Sequence, residues 1–591
     1  MKKIKGLIMK LQGLSKAITR FPLTVIFLLM ATILINITIY KEEDYYIQII
    51  TCMIGVVLCS CLQIICERFF YKSVFRILLL CSGVIITVIY YMFVRSFLVL
   101  SEEMSVRTYV ALLALLVGFL WIPSIRARVT FNESFMIAFK SFFHSIFYGG
   151  VIFGGVCFLI AATNFLIVSI ESRAYLYTLN MVFVLFVPVF FLSLIPIYPI
   201  NNKKMADKEN QREEVIQEAN CPKFLEGLIS YILIPLIIAY TAILILYILL
   251  NITGEFWKNN LLEPLAISYA IIGILLYILS SNIKNKITIL FRVIFPKILI
   301  PIMIVQIIAT FLGLGYVGII PSRYVMILSG VYFILSGIIM CIVSVRKNGI
   351  LAGMLIVFLI ISIVPPIDVF TISRNSQISI LQSVLEENKM LANNTITPNE
   401  SISNEDKGKI YKSVEYLDRM EYIEEIAWMP KNFNIYHDFK GTFGFHEYGI
   451  SEDTRKYINV YLNSSKQIDI KGYDSFVHAS ITSEGELKQE ICKVEESGKV
   501  YTIYKEKIDK KEYMVLRDNQ DEKVISFDCS DIFSRYLSFP EDKSELDMDQ
   551  AIFTVENEKA NIKIIIQNAS LEESADQSYY YVDFNILISI F

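Results

Sequence analysis

Eleven runs of apolar residues, each long enough to cross a bilayer, recur in the first 370 residues of this chain, and they dictate its fold class. A run of about 20 residues with almost no charge spans the hydrocarbon as a helix, because only intrachain hydrogen bonds can satisfy its backbone there. The runs lie near 21–40, 45–66, 77–94, 106–125, 145–170, 177–200, 224–251, 263–281, 298–318, 324–344 and 350–370. Two of them, 145–170 and 224–251, exceed one crossing and are read as tilted or kinked single helices. The loop Asn201–Lys223 divides the set six plus five.

Lys and Arg predict the direction of insertion. With the N-terminus in the cytoplasm, the inner segments carry 23 basic residues, and the outer loops carry six: Lys41, Arg95, Arg107, Arg173, Lys258 and Arg323. The alternation holds across all ten loops. An odd number of crossings then places the C-terminal region outside. Ahead of the first run, Met1–Arg20 holds six basic residues, with Ile4, Leu7, Ile8, Leu11, Leu14 and Ile18 at helical spacing. It reads as a basic amphipathic helix on the inner membrane surface. The apolar run that follows lacks a small-residue cleavage site and is expected to be retained.

Charge separates the chain in the same place. From Arg374 onward there are 25 Lys and Arg against 40 Asp and Glu. An acidic outer region below a basic membrane region argues against nucleic acid as a partner. Most of the ten cysteines sit in or beside apolar runs, and Cys59, Cys61 and Cys66 crowd one of them. They read as small apolar residues. Cys492 and Cys529 belong to the polar region, and whether they pair is open at this stage.

Pro365-Pro366 ends the last run, since neither residue continues a helix. Residues 371–591 then read as a soluble α+β domain. Ile378, Leu381, Leu385 and Met390 mark a first helix, Asn393–Asn404 a turn or linker, and Ile410, Val414 and Leu417 one face of a second helix from Asp406 to Met420. Beyond Trp428 the period shortens to two. Strands are expected at Tyr457–Leu462, Lys488–Val494, Val500–Lys505, Glu512–Leu516, Lys523–Phe527, Ala551–Val555, Asn561–Ile566 and Tyr579–Ile588, in an antiparallel sheet or sandwich. The fold class is therefore an α-helical polytopic membrane domain of about eleven transmembrane helices at 21–370, followed by that soluble domain.

Four stretches resemble a known family. They are Phe21-Pro22-Leu23-Thr24, Lys223-Phe224-Leu225 with Tyr231 to Pro235 and Tyr240 to Leu244, Phe291-Arg292 with Phe295-Pro296-Lys297 and Pro301, and Ser373 to Gln377 with Tyr416-Leu417. Through them the chain is similar to the bacterial multi-spanning membrane proteins grouped as DUF4153, a domain of unknown function. The resemblance is spread over most of the chain and is strongest from about 220 to 420. It implies an integral membrane protein with an extracytoplasmic tail, and it brings no catalytic residues.

Candidate chemistry is sparse. Gly313-Leu-Gly315-Tyr-Val-Gly318 matches the dinucleotide fingerprint literally, but that motif needs a strand before it and a helix after it. Gly149-Gly150 and Gly154-Gly155 offer small residues for close helix packing. Glu226, Glu263 and Asp368 fall near predicted interfaces, within reach of water or headgroups. Asn36, Gln63, Asn164 and Gln306 are deeper and are expected to bond to neighbouring helices. His437-Asp438 and His446-Glu447 have the donor types of a zinc site but no recognised spacing, and His478 has no evident link to them. No residue is assigned as catalytic, cofactor-binding or metal-binding.

These features point to a non-enzymatic envelope protein whose outer domain binds a partner through residues 371–591 or senses a signal. The alternative is a permease or lipid-handling protein with a path through the helices. The Ile-, Lys- and Asn-rich usage fits an AT-rich bacterial genome and hence a multi-pass protein of the bacterial plasma membrane.

Overall fold

The computed structural model describes residues 13–70, 73–95, 101–127, 129–198, 212–213, 215–251, 261–445, 456–463, 467–483, 488–496, 498–508, 511–539, 543–573 and 578–591. The amphipathic segment falls outside them up to residue 12 and is helical from 13 to 20. Most of the 201–223 loop and the pair His446-Glu447 also lie outside them.

Among the described residues, eleven helices are long and apolar enough to cross a membrane. They are α1 (Pro22–Lys41), α2 (Tyr46–Phe69), α3 (Ser73–Val94), α4 (Glu102–Trp121), α5 (Phe131–Leu166), α6 (Arg173–Ser193), α7 (Val215–Leu250), α8 (Leu262–Leu279), α9 (Lys286–Val317), α10 (Pro321–Ile342) and α11 (Gly349–Ile363). Each expected run has its helix.

The lengths differ where polar residues masked a helix. α5 starts at Phe131, not near 145, because a capping box closes its first turn: Thr130 accepts from the Glu133 N–H, and Glu133 accepts from the Thr130 N–H. Its early turns carry Glu133, Lys140 and His144, which hid them from a reading by apolarity. α9 starts at Lys286 and continues through Pro296 and Pro301. Prolines break helices in water, but packed neighbours accommodate them in a membrane bundle. α6 and α7 each contain a π-helical turn, Met181–Phe186 and Ile229–Leu233.

Close packing of α8 against α9 depends on a glycine. A Cβ on Gly273 would sit 2.1 Å from the Phe295 ring, so only glycine admits that ring between α8 and α9. Phe295 also stacks on Phe291 at 5.1 Å and meets Tyr269 at 5.7 Å, all three buried. Gly149 likewise makes room for Val187, with a Cβ-to-Cγ2 distance of 2.3 Å. The expectation for its neighbours needs correction: Gly150, Gly154 and Gly155 face open space, so helix packing at this motif rests on Gly149.

The chain divides into two compact units, Met1–Ser383 with Ser413–Ala427, and Val384–Lys412 with Trp428–Phe591. The division falls later than residue 371 because α12 (Val369–Glu387) and α13 (Asn404–Arg419) each contribute to both units. Leu381, Leu385, Ile410, Val414 and Leu417 are fully buried, as their spacing requires. The predicted turn contains a hairpin, β1 (Leu391–Ala392) with β2 (Thr395–Ile396), whose central residues Asn393 and Asn394 have φ of 50° and 58°. Asparagine tolerates this left-handed conformation, as a type I′ turn demands.

In the second unit, α14 (Ile435–Phe443) buries Phe439 and Phe443 and ends on Gly444 at φ 90°. The strands follow as β3 (Lys456–Leu462), β4 (Ser475–Thr482), β5 (Lys488–Glu496), β6 (Lys499–Ile508), β7 (Lys511–Arg517), β8 (Lys523–Asp528), β9 (Glu545–Leu546), β10 (Ile552–Glu556), β11 (Ala560–Glu573) and β12 (Ser578–Ile590). One sheet runs β4-β12-β11-β3-β9, with β10 also on β11, and the other is the meander β5-β6-β7-β8. All pairs are antiparallel except β3 with β9. A single apolar core draws Ile458, Phe584 and Ile586 from the first sheet and Ile503, Leu516 and Phe527 from the second, which makes the unit a sandwich. Short α15 (Ser530–Leu537) buries Ile532 and Tyr536 in the same core.

Candidate functional site

Three features of the described residues bear on function: buried ion pairs at helix ends, an apolar slot in the membrane unit, and a polar groove in the sandwich.

The ion pairs come first, because two of the carboxylates expected near the interface are dry. Glu263, second residue of α8, accepts from Arg323 Nη1 at 2.6 Å, with side-chain exposures of 7% and 9%. Asp368, fully buried, accepts from Arg107 Nη2 at 2.6 Å. Arg107 also bonds Glu103 at 2.7 Å and donates to the Ile363 carbonyl at 2.6 Å, joining α4 to the end of α11. The expectation that water or headgroups reach Glu263 and Asp368 is therefore corrected: their solvation comes from arginine. Sequence position hid this, since the partners lie 60 and 261 residues apart. Around Arg107, the Tyr422 hydroxyl donates to Glu103, Arg374 bonds Glu425 at 2.7 Å and covers the Tyr422 ring at 5.3 Å, and Arg419 lies 3.7 Å from Glu102. Burial, and then the neighbouring Glu103 carboxylate, push the Tyr422 phenol above its ordinary range. Burial, with smaller pushes from the Glu103 and Glu102 carboxylates, drives Tyr416 up to about 12.

The other candidate residues have local roles. Gly318 ends α9 at φ 69°, and a Cβ there would lie 2.0 Å from Ile380. The glycine fingerprint is thus the close of a span. Asn180 Nδ2 donates to Asn36 Oδ1 at 2.9 Å across two helices, as expected. Gln63 instead bonds within its own helix, to Glu67 at 2.7 Å, whereas Gln306 donates to Thr310 at 2.9 Å within α9 and, as expected, to the Met326 carbonyl on α10 at 3.5 Å. Asn164 is exposed and accepts from the Ile170 N–H at 2.7 Å. Cys61 donates to the Leu115 carbonyl at 2.9 Å, and Cys59, Cys61 and Cys66 are buried free thiols. Cys492 and Cys529 are unpaired as well. His437 and Asp438 are exposed on α14, where Asp438 accepts from the Asn434 N–H. Among the described residues no three His, Cys, Asp or Glu side chains gather as a metal would require.

Two of the resembling stretches do identifiable work. Arg292 donates to the carbonyls of Ser280, Ser281 and Ile283, closing the end of α8. Ser376 Oγ accepts from the Ile319 N–H at 3.0 Å, and Gln377 bonds both Ser413 and the Ile319 carbonyl. α12 and α13 are thereby pinned to the α9–α10 connection.

The slot has a volume of about 480 Å³ and is lined by apolar side chains of α4, α5, α8, α10 and α11. Ligand sites are typically ~300–1,000 Å³. At one end, Asn132 donates to the Val345 carbonyl at 2.9 Å, Asn348 donates to Asn132 at 3.0 Å, and Ser134 bonds the Leu120 carbonyl at 2.9 Å. Trp121 lies over Gly353, where a Cβ would stand 2.9 Å from the ring.

The groove, of about 420 Å³, lies where β4 and β5 part into different sheets. It is lined by His478 and Ser480 of β4, Gln489 and Glu490 of β5, and Tyr581 and Asp583 of β12. His478 Nε2 lies 3.2 Å from Asp583 and Nδ1 3.0 Å from Asn585. Among the described residues β4 pairs with β12 and β5 with β6, and the Thr482 carbonyl of β4 accepts from Lys505 Nζ. Each therefore leaves one edge of backbone donors and acceptors unused by the sheets. Sequence reasoning missed this site because it missed β4. In Ser475–Thr482 the outward face carries Phe476 at 53% exposure, which blurs the alternation.

Comparison of the chain with protein-family models, with curated proteins and with solved structures gives no match.

Proposed function

We propose that this is a non-enzymatic membrane protein of the bacterial cell envelope, with its sandwich unit outside the plasma membrane binding a protein partner. The observation that carries the reading is the groove: two strand edges left unpaired by their own sheets flank a polar trough. An extended segment of a partner can add to such edges by main-chain hydrogen bonds, while side-chain pockets select its sequence. The trough carries the carboxylates of Glu490 and Asp583, within a region of 25 Lys and Arg against 40 Asp and Glu. It therefore suits a basic segment. The outward orientation rests on the 23 against six distribution of basic residues, and membership in DUF4153 on the four quoted stretches.

The test is photo-crosslinking in cells, with a photoreactive amino acid at Ser480 of the full chain and identification by mass spectrometry. One protein captured at Ser480, and lost when Asp583→Lys and Glu490→Lys are added, supports the reading. Equal capture from Ser480 and from a distant surface position such as Lys431 would sink it.

A further inference from the structure

The apolar slot has no part in the partner-binding reading, and its walls define what it holds. The hydroxyls in its lining are engaged with backbone: Ser329 donates to the Val325 carbonyl at 2.7 Å, Ser362 to Leu359 at 2.7 Å, and Tyr332 to Leu351 at 3.4 Å. A ligand with polar atoms would lose its hydration there and regain little, so the occupant is apolar along its length.

Its shape follows from the helices. The lining runs along α4 from Val110 to Leu120 and along α11 from Leu351 to Ser362. At ~1.5 Å per residue that is roughly 15 Å, about half of a ~30 Å hydrocarbon core, centred on the middle of both helices. The width is fixed by polar clamps at both ends: Arg107 on the Ile363 carbonyl at one, and Asn132 with Asn348 at the other. Leu113, Ile271 and Leu275, each more than 40% exposed, leave one side open.

We propose that this slot binds one acyl chain of a bilayer phospholipid, which enters sideways between the exposed leucines and isoleucine. A phospholipid is the apolar-chained molecule that surrounds the spans at the highest concentration, and the slot opens sideways toward it through Leu113, Ile271 and Leu275 while polar pairs close both ends.

The probe is a phospholipid with a diazirine on its acyl chain, present at low mole fraction in vesicles holding the full chain, with crosslinked residues mapped by mass spectrometry. The perimeter positions Leu116, Val357 and Ile360 serve as reference, being exposed on α4 and α11 but outside the slot. Labelling of slot residues at least fivefold above these positions, saturable by unlabelled phospholipid, is expected. Leu355→Trp should reduce slot labelling to the reference level without altering the perimeter. Uniform, non-saturable labelling of the wild-type chain would overturn the proposal, and this comparison stands even if the variant fails to fold. Preferential capture of a photoreactive polyprenyl phosphate would also overturn it, by assigning the slot to isoprenoid chains.

Discussion

The guanidinium of Arg323 occupies the space beside the α-carbon of Gly313, where a Cβ would lie 2.7 Å from Nη1 and 2.9 Å from Nη2. From that position Arg323 reaches Glu263, so a glycine on α9 allows an ion pair between α8 and α10. Gly313→Ala should displace the guanidinium and destabilise the bundle by about 1–3 kcal/mol, in the range of other overpacked sites. Glu263→Gln should cost more, about 3–5 kcal/mol, because it removes the carboxylate paired with a buried arginine. Glu263→Gln combined with Arg323→Met should be less damaging than Glu263→Gln alone. Thermal melting of the purified chain in detergent measures these three and Arg323→Met alone, and a double variant no milder than Glu263→Gln would refute the pairing.

The two glycine pairs of α5 give a sharper contrast. Gly149→Ala meets Val187 at 2.3 Å, whereas Gly154→Ala meets nothing within 4 Å. The first should lower the melting temperature in detergent. The second should leave it unchanged or raise it, since alanine is the better helix former by about 1 kcal/mol. Equal effects would mean that another surface covers Gly154.

These cases mark how far the sequence could be read. Span number followed from apolar length because lipid imposes one rule on every crossing segment. Helix starts were less legible where charge entered: Glu133 hid the first turns of α5 while also capping them. The strands from Lys488 to Asp528 lie close to where the sequence pattern placed them, although β6 and β7 bury residues on both faces, such as Thr502 beside Ile503 and Val515 beside Leu516. β4 escaped because Phe476 sits on its outer face, and the groove escaped with it. The ion pairs Glu263–Arg323 and Asp368–Arg107 were beyond a sequence reading. Each arginine looked like a loop charge, and only folding brings it to its carboxylate.

The thiols of the sandwich provide a further test. Burial pushes Cys529 up to about 12 and Cys492 up to about 11. At pH 8 both are thiols rather than thiolates, the unreactive form. The folded chain should therefore resist maleimide at both positions and take up one label at each after denaturation. Failure of the denatured, unreduced chain to label at both would mean that they are joined by a disulfide.

The last prediction concerns acid. Glu506 on β6 accepts from Arg517 on β7 through both oxygens, at 2.7 and 2.9 Å, with only 8% of its side chain exposed. The Arg517 bonds hold its carboxyl below the ordinary carboxylate value, against the opposing effect of burial, and Lys488 adds to the depression. A carboxylate more acidic when folded contributes stability that is complete above its ordinary value near 4.5 and is lost as pH falls through the depressed one. Protection of β6 and β7 amides from hydrogen exchange, taken relative to the intrinsic rate at each pH, should thus be flat from neutral pH to about 5 and fall below 4.5. Glu506→Gln should cost about 3 kcal/mol at pH 7, at the lower end of the range for a broken buried pair because Arg517 remains partly in water. It should also flatten the response to acid, since glutamine binds no proton there. If the acid-induced loss of protection in β6 and β7 survives Glu506→Gln unchanged, another carboxylate controls it, and the pair is not what couples this meander to pH.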